Sequence, residues 1–391
     1  MAARSTVRFP SLIPGRMGGE RMALVLLALA VGCGSNEVTR MDPAEPGKLD
    51  AFVDGLASRD EFSGVVAVDR DGQVVLLRAF GLADKSLGVA NRPETRFVVA
   101  SVTQTFTVVA VAQLIAEGRV SIEAPVSAYC PDLPEGAGAQ ATVHELLTHT
   151  AGIRGVVTSD AFRRDPHAFR SLDDYLKLAA IQPLTGEPGS KFRYTDGDSV
   201  LLGAIIERAS GQSYYTYVRD HVFGPAGMTR TGFDLVPRPA DLAVGYTRRA
   251  AGGSVTPRAA LHDNSAMLPE IASPGAAAYS TAGDLLRFGD ALLRGILLSP
   301  SASEALLEGD VPTGDRGPRE HYGFGFFDGN LGNVRIVNHG GTGPGIDVGL
   351  DLYPELGLVV VVLSNEDPPS GQRMRDALRE RIVASHQLRA S

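Results

Sequence analysis

The β-strand signals of this chain are divided between its two ends. Residues 65–68 and 74–77 are short apolar runs, separated by Asp-Arg-Asp-Gly, whose last two residues suit the positive φ angles of a tight hairpin. Apolar runs return at 334–338, 347–353 and 358–363. We therefore expect one five-stranded antiparallel sheet built from both chain ends, with flanking helices, in a fold of the α+β class.

Helical patterns fill the region between the two groups of strands. Apolar residues recur at helical spacing over 101–117, and Gly118 follows as a stop signal. This helix is apolar on nearly all faces, which predicts that it is buried. Further helices are expected at 143–148, 172–180, 199–209, 214–222, 281–294 and 372–387. Residues 119–330 are predicted to form an inserted all-helical domain, and 49–118 with 331–391 the sheet domain.

The start of the chain has the pattern of an export signal. Four arginines precede an apolar run at 22–31, which is too short to span a bilayer but fits the core of a signal peptide. The sequence Ala-Val-Gly-Cys at 30–33 resembles a bacterial lipobox, in which the cysteine becomes the lipidated first residue. We expect a signal peptide at 1–32, lipidation of Cys33 and a tether at 33–48. Cleavage as an ordinary secretory signal is the alternative.

Charge and cysteine content exclude several function classes. The net charge is −8 and no cluster of Lys or Arg stands out, which argues against a nucleic-acid partner. Cys33 and Cys130 are too few for a zinc ribbon or a disulfide framework. His144 and His149 are five residues apart, about 140° around a helix, so they do not form a zincin pair and are interpreted as helix-packing residues. No metal or cofactor is predicted.

Five segments carry the remaining information, and they resemble a known family in order and spacing. They are FVVASVTQTFT at 97–107, TVHELLTHTAGI at 142–153, PGSKFRYTD at 188–196, YSTAGDL at 279–285 and HGG at 339–341. Together they resemble the serine β-lactamase-like family, which includes class C β-lactamases, D-alanyl-D-alanine peptidases and related esterases. The resemblance covers about 50–385. It implies a β-lactamase/transpeptidase-like fold, in which a cleft separates the sheet from the helical domain.

The resemblance implies that Ser101 is the nucleophile. A serine at the start of a buried helix gains from the helix dipole, and its own N–H can point at an oxyanion. The second oxyanion donor implied by the resemblance is the backbone N–H of Thr342. Gly340 and Gly341 are expected to let the backbone approach the substrate.

Gln104 departs from the family pattern. The family has a lysine one helical turn after the nucleophile, where side chains i and i+3 share a face. A neutral amide cannot take the serine proton, and loss of a positioned base typically costs ~10²–10⁴ in rate. The alternative interpretation of Ser101 and Gln104 is a capping box.

Tyr194, Asp196 and His339 complete the predicted catalytic set. Residues 194–196 resemble the Tyr-x-Asn element, whose tyrosine relays protons and whose third residue contacts lysine and substrate. His339 stands where many relatives have lysine, and we expect it to donate to Tyr194 or to a substrate carboxylate. Either Gln104 turns its N–H₂ toward Asp196, or Asp196 is desolvated with a raised pKa and serves as general base. A hydrogen-bonded cleft tyrosine and a strand-edge histidine without a role are the alternatives.

Together these residues predict a secreted serine hydrolase that acts by acyl transfer through Ser101. Its substrate would be an ester, amide, β-lactam or D-amino-acid peptide, with activity attenuated by Gln104. The rival is a catalytically silent lipoprotein that binds cell-wall peptide or another ligand. A lipid anchor on Cys33 would attach either form to the cell envelope, at the outer membrane if the cell has one.

Overall fold

The computed structural model describes residues 46–60, 62–134, 138–249, 260–315 and 317–390. The predicted signal peptide, Cys33 and most of the tether therefore lie outside the described residues. The strands are β1 Gly64–Arg70, β2 Gln73–Phe80, β3 Leu82–Asp84, β4 Val89–Ala90, β5 Phe97–Val98, β6 Tyr246–Thr247, β7 His262–Asp263, β8 Tyr279–Ser280, β9 Val311–Pro312, β10 His321–Tyr322, β11 Phe327–Leu331, β12 Val334–Gly343, β13 Ile346–Tyr353 and β14 Leu358–Ser364. The helices are α1 Pro46–Asp60, α2 Thr103–Ala116, α3 Val143–Leu147, α4 Asp160–Arg164, α5 Leu172–Ile181, α6 Gly197–Ser210, α7 Tyr214–Val218, α8 Gly224–Ala226, α9 Ala282–Leu293, α10 Pro300–Leu307 and α11 Ser370–Ala390.

The main sheet is antiparallel and contains eight strands in the order β2-β1-β14-β13-β12-β11-β10-β9. The five predicted strands are β1, β2, β12, β13 and β14, and they are neighbours in the sheet. The prediction of five strands was too low, because three further strands extend the edge beyond β12. Two of these, β9 and β10, have only two residues each, which is too short to give a strand signal.

Both faces of the central strands are covered by helices. In β1, Val65 and Ala67 belong to the hydrophobic core on one face, whereas Val66 and Val68 belong to the core on the other. Side chains of a strand alternate between its two faces, so the sequence of a strand that is covered on both faces is a continuous run of apolar residues. Residues of α2 and α9 contribute to the first core, and residues of α1 and α11 to the second.

The first of these cores continues from the sheet into the helical region. It joins Val65 of β1 to Phe106 of α2, Leu201 of α6 and Phe288 of α9. The prediction that the helix after Ser101 is buried is confirmed along most of α2. The region 119–330 is not all-helical as expected, since it also contributes short strands from β6 to β11. In the described part of the chain, no helix combines the length and hydropathy that a membrane crossing requires.

Candidate active site

Ser101 lies in a short 3-10 turn, Ala100–Val102, that leads directly into α2. Ala100 has a φ of +44°, a left-handed conformation that is uncommon for a residue with a side chain and is often found at functional sites. The first residues of α2 have no side-chain cap. The capping box considered for Ser101 and Gln104 is therefore not formed, and the Gln104 amide donates to Tyr194 instead.

Thr342 lies on a free strand edge beside Ser101. Strand β11 pairs with β12 only as far as Asn338, so residues 339–343 leave one edge of β12 unpaired by β11. Gly343 and Ile346 close a two-residue hairpin between β12 and β13, so the backbones of these two residues hydrogen-bond to each other. Along an antiparallel strand, the N–H and C=O groups of successive residues point alternately toward the partner strand and away from it. The N–H of Thr342 therefore points away from β13, toward the cleft that Ser101 also lines.

The two glycines before Thr342 allow close packing of β12 against its neighbours. A Cβ on Gly341 would lie 2.4 Å from the Val99 carbonyl oxygen and 3.0 Å from the Ser101 nitrogen. A Cβ on Gly340 would lie 3.0 Å from the Arg375 guanidinium. Their missing side chains thus allow β12 to pack against the nucleophile turn and against Arg375. The approach of a substrate to this backbone stays a prediction.

Gln104 links Tyr194 to a residue that sequence reasoning did not place in the site. It is buried, and its Nε2 donates to the Tyr194 hydroxyl at 2.8 Å. Its Oε1 accepts from His149 Nε2 at 3.1 Å. The expectation that Gln104 turns its amide toward Asp196 is wrong, because Tyr194 and His149 occupy both ends of that amide.

Asp196 is held by backbone groups on the wall of the cleft. One carboxylate oxygen accepts from the N–H groups of Val156 at 3.1 Å and Val157 at 3.0 Å. Burial raises the pKa of Asp196, and these two hydrogen bonds oppose the rise. The raised pKa agrees with the second expectation for this residue. Its service as a general base stays a prediction.

His339 is buried in β12 and faces Tyr194 as a proton acceptor. Its Nδ1 donates to the Gly340 carbonyl at 2.9 Å, and its Nε2 lies 3.4 Å from the Tyr194 hydroxyl. Burial lowers the pKa of His339 to about 3, so the ring is neutral and Nε2 carries a lone pair. Donation from His339 to Tyr194 was expected and is wrong, because the one hydrogen of the neutral ring is bound to Gly340.

His149 and Asp198 form a buried pair behind Gln104. His149 Nδ1 lies 2.6 Å from an Asp198 oxygen, and both side chains are buried. Burial lowers the pKa of His149 to about 3 and raises that of Asp198. The helix-packing interpretation of His149 is therefore wrong, whereas His144 does pack its ring against Phe324. The sequence did contain one signal for this pair: Asp198 stands in an apolar stretch of α6, and a buried acid rarely lacks a partner.

Two cavities meet beside Ser101. One, of about 550 Å³, has polar side chains on its walls; we call it the polar cavity, and it is lined by residues including Ser101, Arg154, Arg193, Asp196 and Thr342. The other, of about 320 Å³, is mainly apolar; we call it the apolar cavity, and its lining includes Val98, Phe162, Met267, Leu268 and Thr342. Thr342 lines both cavities, so a group held at its N–H can extend into either one.

Comparisons with known proteins agree with this geometry. The family model described as Beta-lactamase matches residues 49–385. The chain belongs to the Beta-lactamase family. The predicted recognition and the fold class are thereby confirmed. Family membership also accounts for the order of the five motifs.

Individual relatives carry different names. "Putative penicillin-binding protein PbpX" of Bacillus subtilis is 31% identical over 77% of this chain and 70% of the relative. "Esterase EstB" of Burkholderia gladioli is 36% identical over 51% of this chain and 54% of the relative. The crystal structure of a penicillin-binding protein from Bacillus halodurans superposes with a TM-score of 0.73 at 26% identity, covering 86% of this chain and 98% of that one.

Proposed function

We propose that this protein is a serine hydrolase that transfers an acyl group from an ester or amide to Ser101 and then to water. One observation supports this most strongly: the Ser101 hydroxyl lies close enough to Tyr194 to lower the pKa of its hydroxyl, opposite the free edge that carries the Thr342 N–H. A nucleophile, a proton path and an oxyanion donor thus converge on one cleft. The names of the relatives, penicillin-binding protein and esterase, agree with acyl-transfer chemistry.

The proton path begins at the serine hydroxyl. As Ser101 Oγ bonds to the acyl carbon, its proton passes to the Tyr194 oxygen and the Tyr194 proton passes to His339 Nε2. The N–H groups of Ser101 and Thr342 stabilise the oxyanion. When the bond to the leaving group breaks, that group takes a proton from Tyr194, which regains one from His339. In the second half of the reaction, water attacks the acyl carbon and its proton passes to Tyr194, whose own proton passes to His339. When the bond from Ser101 to the acyl group breaks, the Ser101 oxygen takes a proton from Tyr194, which regains one from His339.

This arrangement supports slow turnover and a preference for activated acyl groups. Burial raises the pKa of Tyr194, so its hydroxyl gives up a proton reluctantly, and burial lowers the pKa of His339, so that ring is a weak base. The N–H of Gln104 partly compensates, since it stabilises charge on the Tyr194 oxygen. Reactive esters need little help from a base, and a preformed oxyanion hole retains part of the catalysis.

Covalent labelling tests the proposal. An alkyl fluorophosphonate suits the apolar cavity, and Ser101 Oγ is expected to displace its fluoride and form a P–O bond. Peptide mass mapping should place the label on Ser101. Because His339 stays neutral well above a pKa of about 3, the labelling rate should change little between about pH 8 and about pH 5. A rate that falls as Asp196 becomes protonated would favour Asp196 as the base.

A folded protein that never labels would support the binding alternative. The cleft would then serve to recognise a cell-wall peptide or another ligand. Isothermal titration with a cell-wall peptide distinguishes this outcome, because binding does not depend on the Ser101 hydroxyl. Saturable binding without labelling would replace the hydrolase proposal.

We also propose that the chain is exported and anchored by lipid on Cys33. The lipobox-like sequence at 30–33 supports this. Intact mass of protein made in a bacterium with the lipoprotein pathway should show loss of residues 1–32 and a diacylglyceryl thioether on Cys33. The Cys33→Ala variant should lack the lipid and leave the membrane fraction. An unmodified, water-soluble mature wild type would contradict the anchor.

A further inference from the structure

With the Gln104 amide oriented as in the structure, the hydrogen bonds behind Tyr194 have one arrangement of protons that satisfies every neutral group in them. Gln104 Nε2 donates to Tyr194, so Gln104 Oε1 must accept from His149 Nε2. A neutral imidazole carries one hydrogen, which leaves His149 Nδ1 as an acceptor. Asp198 Oδ2, at 2.6 Å from that nitrogen, must then donate to it. The donor direction thus runs from Asp198 through His149 and Gln104 to Tyr194.

The surroundings of Asp198 favour a neutral carboxylic acid there. Its side chain is fully buried, and its second oxygen, Oδ1, finds no hydrogen-bond partner among the described residues. A buried carboxylate with an unpaired oxygen is costly, whereas a protonated acid needs only one strong bond. Burial and the nearby charge of Asp196 raise the pKa of Asp198 in agreement with this state.

The backbone and packing of His149 hold its ring in one orientation. His149 has a φ of +53°, and its carbonyl accepts from the Arg193 N–H at 2.7 Å. Its ring centroid lies 4.8 Å from that of Tyr194 and 4.9 Å from that of Tyr322. Strained backbone of this kind persists where the surroundings determine it, and it is concentrated at functional sites. The ring therefore cannot turn freely to exchange its two nitrogens.

We propose that Asp198 and His149 are positioning residues that fix the amide of Gln104 with its N–H₂ toward Tyr194, a role that rests on the proposed hydrolase function. If Asp198 did not donate, His149 could carry its hydrogen on Nδ1 and accept through Nε2. The Gln104 amide would then turn over, and its oxygen would face Tyr194. Tyr194 would lose the donor that stabilises charge on its oxygen during proton transfer.

Two replacements of Asp198 separate donation from packing. Leucine fills the site with an apolar side chain but has no hydrogen-bond donor. Asp198→Leu should therefore lower kcat for a nitrophenyl ester by about 10- to 100-fold, with little change in KM. The amide N–H₂ of asparagine can donate to His149 Nδ1, so Asp198→Asn should recover most of the lost kcat. Asp69 provides a matched control. It is another buried acid, bonded to the Gly72 N–H, and Asp69→Leu should lower stability without this effect on kcat.

A double mutant tests whether Asp198 acts through Gln104. Gln104→Leu removes the donor to Tyr194 and should also lower kcat. Adding Asp198→Leu to that variant should cost no further kcat, because residues that act as one unit are not additive. Independent losses that multiply would overturn the positioning role.

The proton arrangement itself can be read without turnover. Imidazole ¹⁵N NMR of the folded wild type should show the hydrogen of His149 on Nε2, and the same in Asp198→Asn. A hydrogen on Nδ1, or an Asp198→Asn variant as impaired as Asp198→Leu, would overturn the proposal by showing that Asp198 accepts. If the wild type fails to label at Ser101, the hydrolase function fails, and the NMR result still decides the proton arrangement.

Discussion

Replacing Ser101 by alanine is expected to abolish covalent labelling and to lower ester hydrolysis on the order of 10³-fold or more. Tyr194→Phe should be less severe, with kcat reduced by about 10²-fold, because it breaks proton transfer but leaves the nucleophile and oxyanion donors in place. Steady-state hydrolysis of a nitrophenyl ester measures both losses. This order is expected because Ser101 forms the bond to the acyl group, whereas Tyr194, held by the Gln104 N–H, only transfers protons.

A matched control comes from tyrosine and serine side chains elsewhere. Tyr129→Phe removes a hydroxyl that accepts from the Ser121 N–H, and it should leave kcat unchanged. Ser213→Ala removes a helix cap at α7 and should lower stability only. Equal activity in Ser101→Ala and wild type would mean that the measured hydrolysis does not use this serine.

Loss of the buried guanidinium of Arg379 is expected to give the largest change in stability. Arg379 of α11 donates to both oxygens of Asp351, at 2.7 and 2.8 Å, and to Asn338 at 3.2 Å. Arg379→Met would leave the Asp351 carboxylate buried without its hydrogen-bonded partner, which costs about 3–5 kcal/mol of unfolding free energy. Denaturant unfolding monitored by circular dichroism measures this loss.

Arg373, an exposed arginine of the same helix, is the control for Arg379. Arg373→Met should change the unfolding free energy by less than about 1 kcal/mol, since surface substitutions have small effects. The double variant Arg379→Met with Asp351→Leu should recover stability, because replacing both charges by apolar groups removes the unpaired acid. If Arg379→Met were as mild as Arg373→Met, the pair would contribute nothing measurable.

Strong local patterns made much of the fold predictable. The valine-rich runs of β1 and β14 are buried on both faces, so their apolar continuity was visible in the sequence. The two-residue strands β9 and β10 were missed because β10 is a strand through its pairing with β11, and β9 through its pairing with β10. Segments this short form strands only because neighbouring strands pair with them, so their own sequences give little indication of a strand.

The site was predictable where motifs are local and unpredictable where partners are distant. Ser101, Tyr194 and His339 were placed through motif order. Asp198 meets His149 across 49 residues of sequence, and that contact depends on the left-handed backbone at His149. The acceptor role of His339 depends on the free carbonyl of Gly340, which only strand pairing determines.

The continuous core behind the Ala100–Val102 turn has a consequence for how the protein unfolds. Phe106 of α2 shares a core with Val65 of β1 and is also in contact with Phe223 and Phe288 at ring distances of 5.0 Å. The helix that follows Ser101 is therefore built into both halves of the protein. A shortened chain without residues 119–330 would expose that helix to water and lose much of the apolar burial that holds it. The inserted region is therefore not a detachable module, and the two halves are expected to unfold in a single cooperative step.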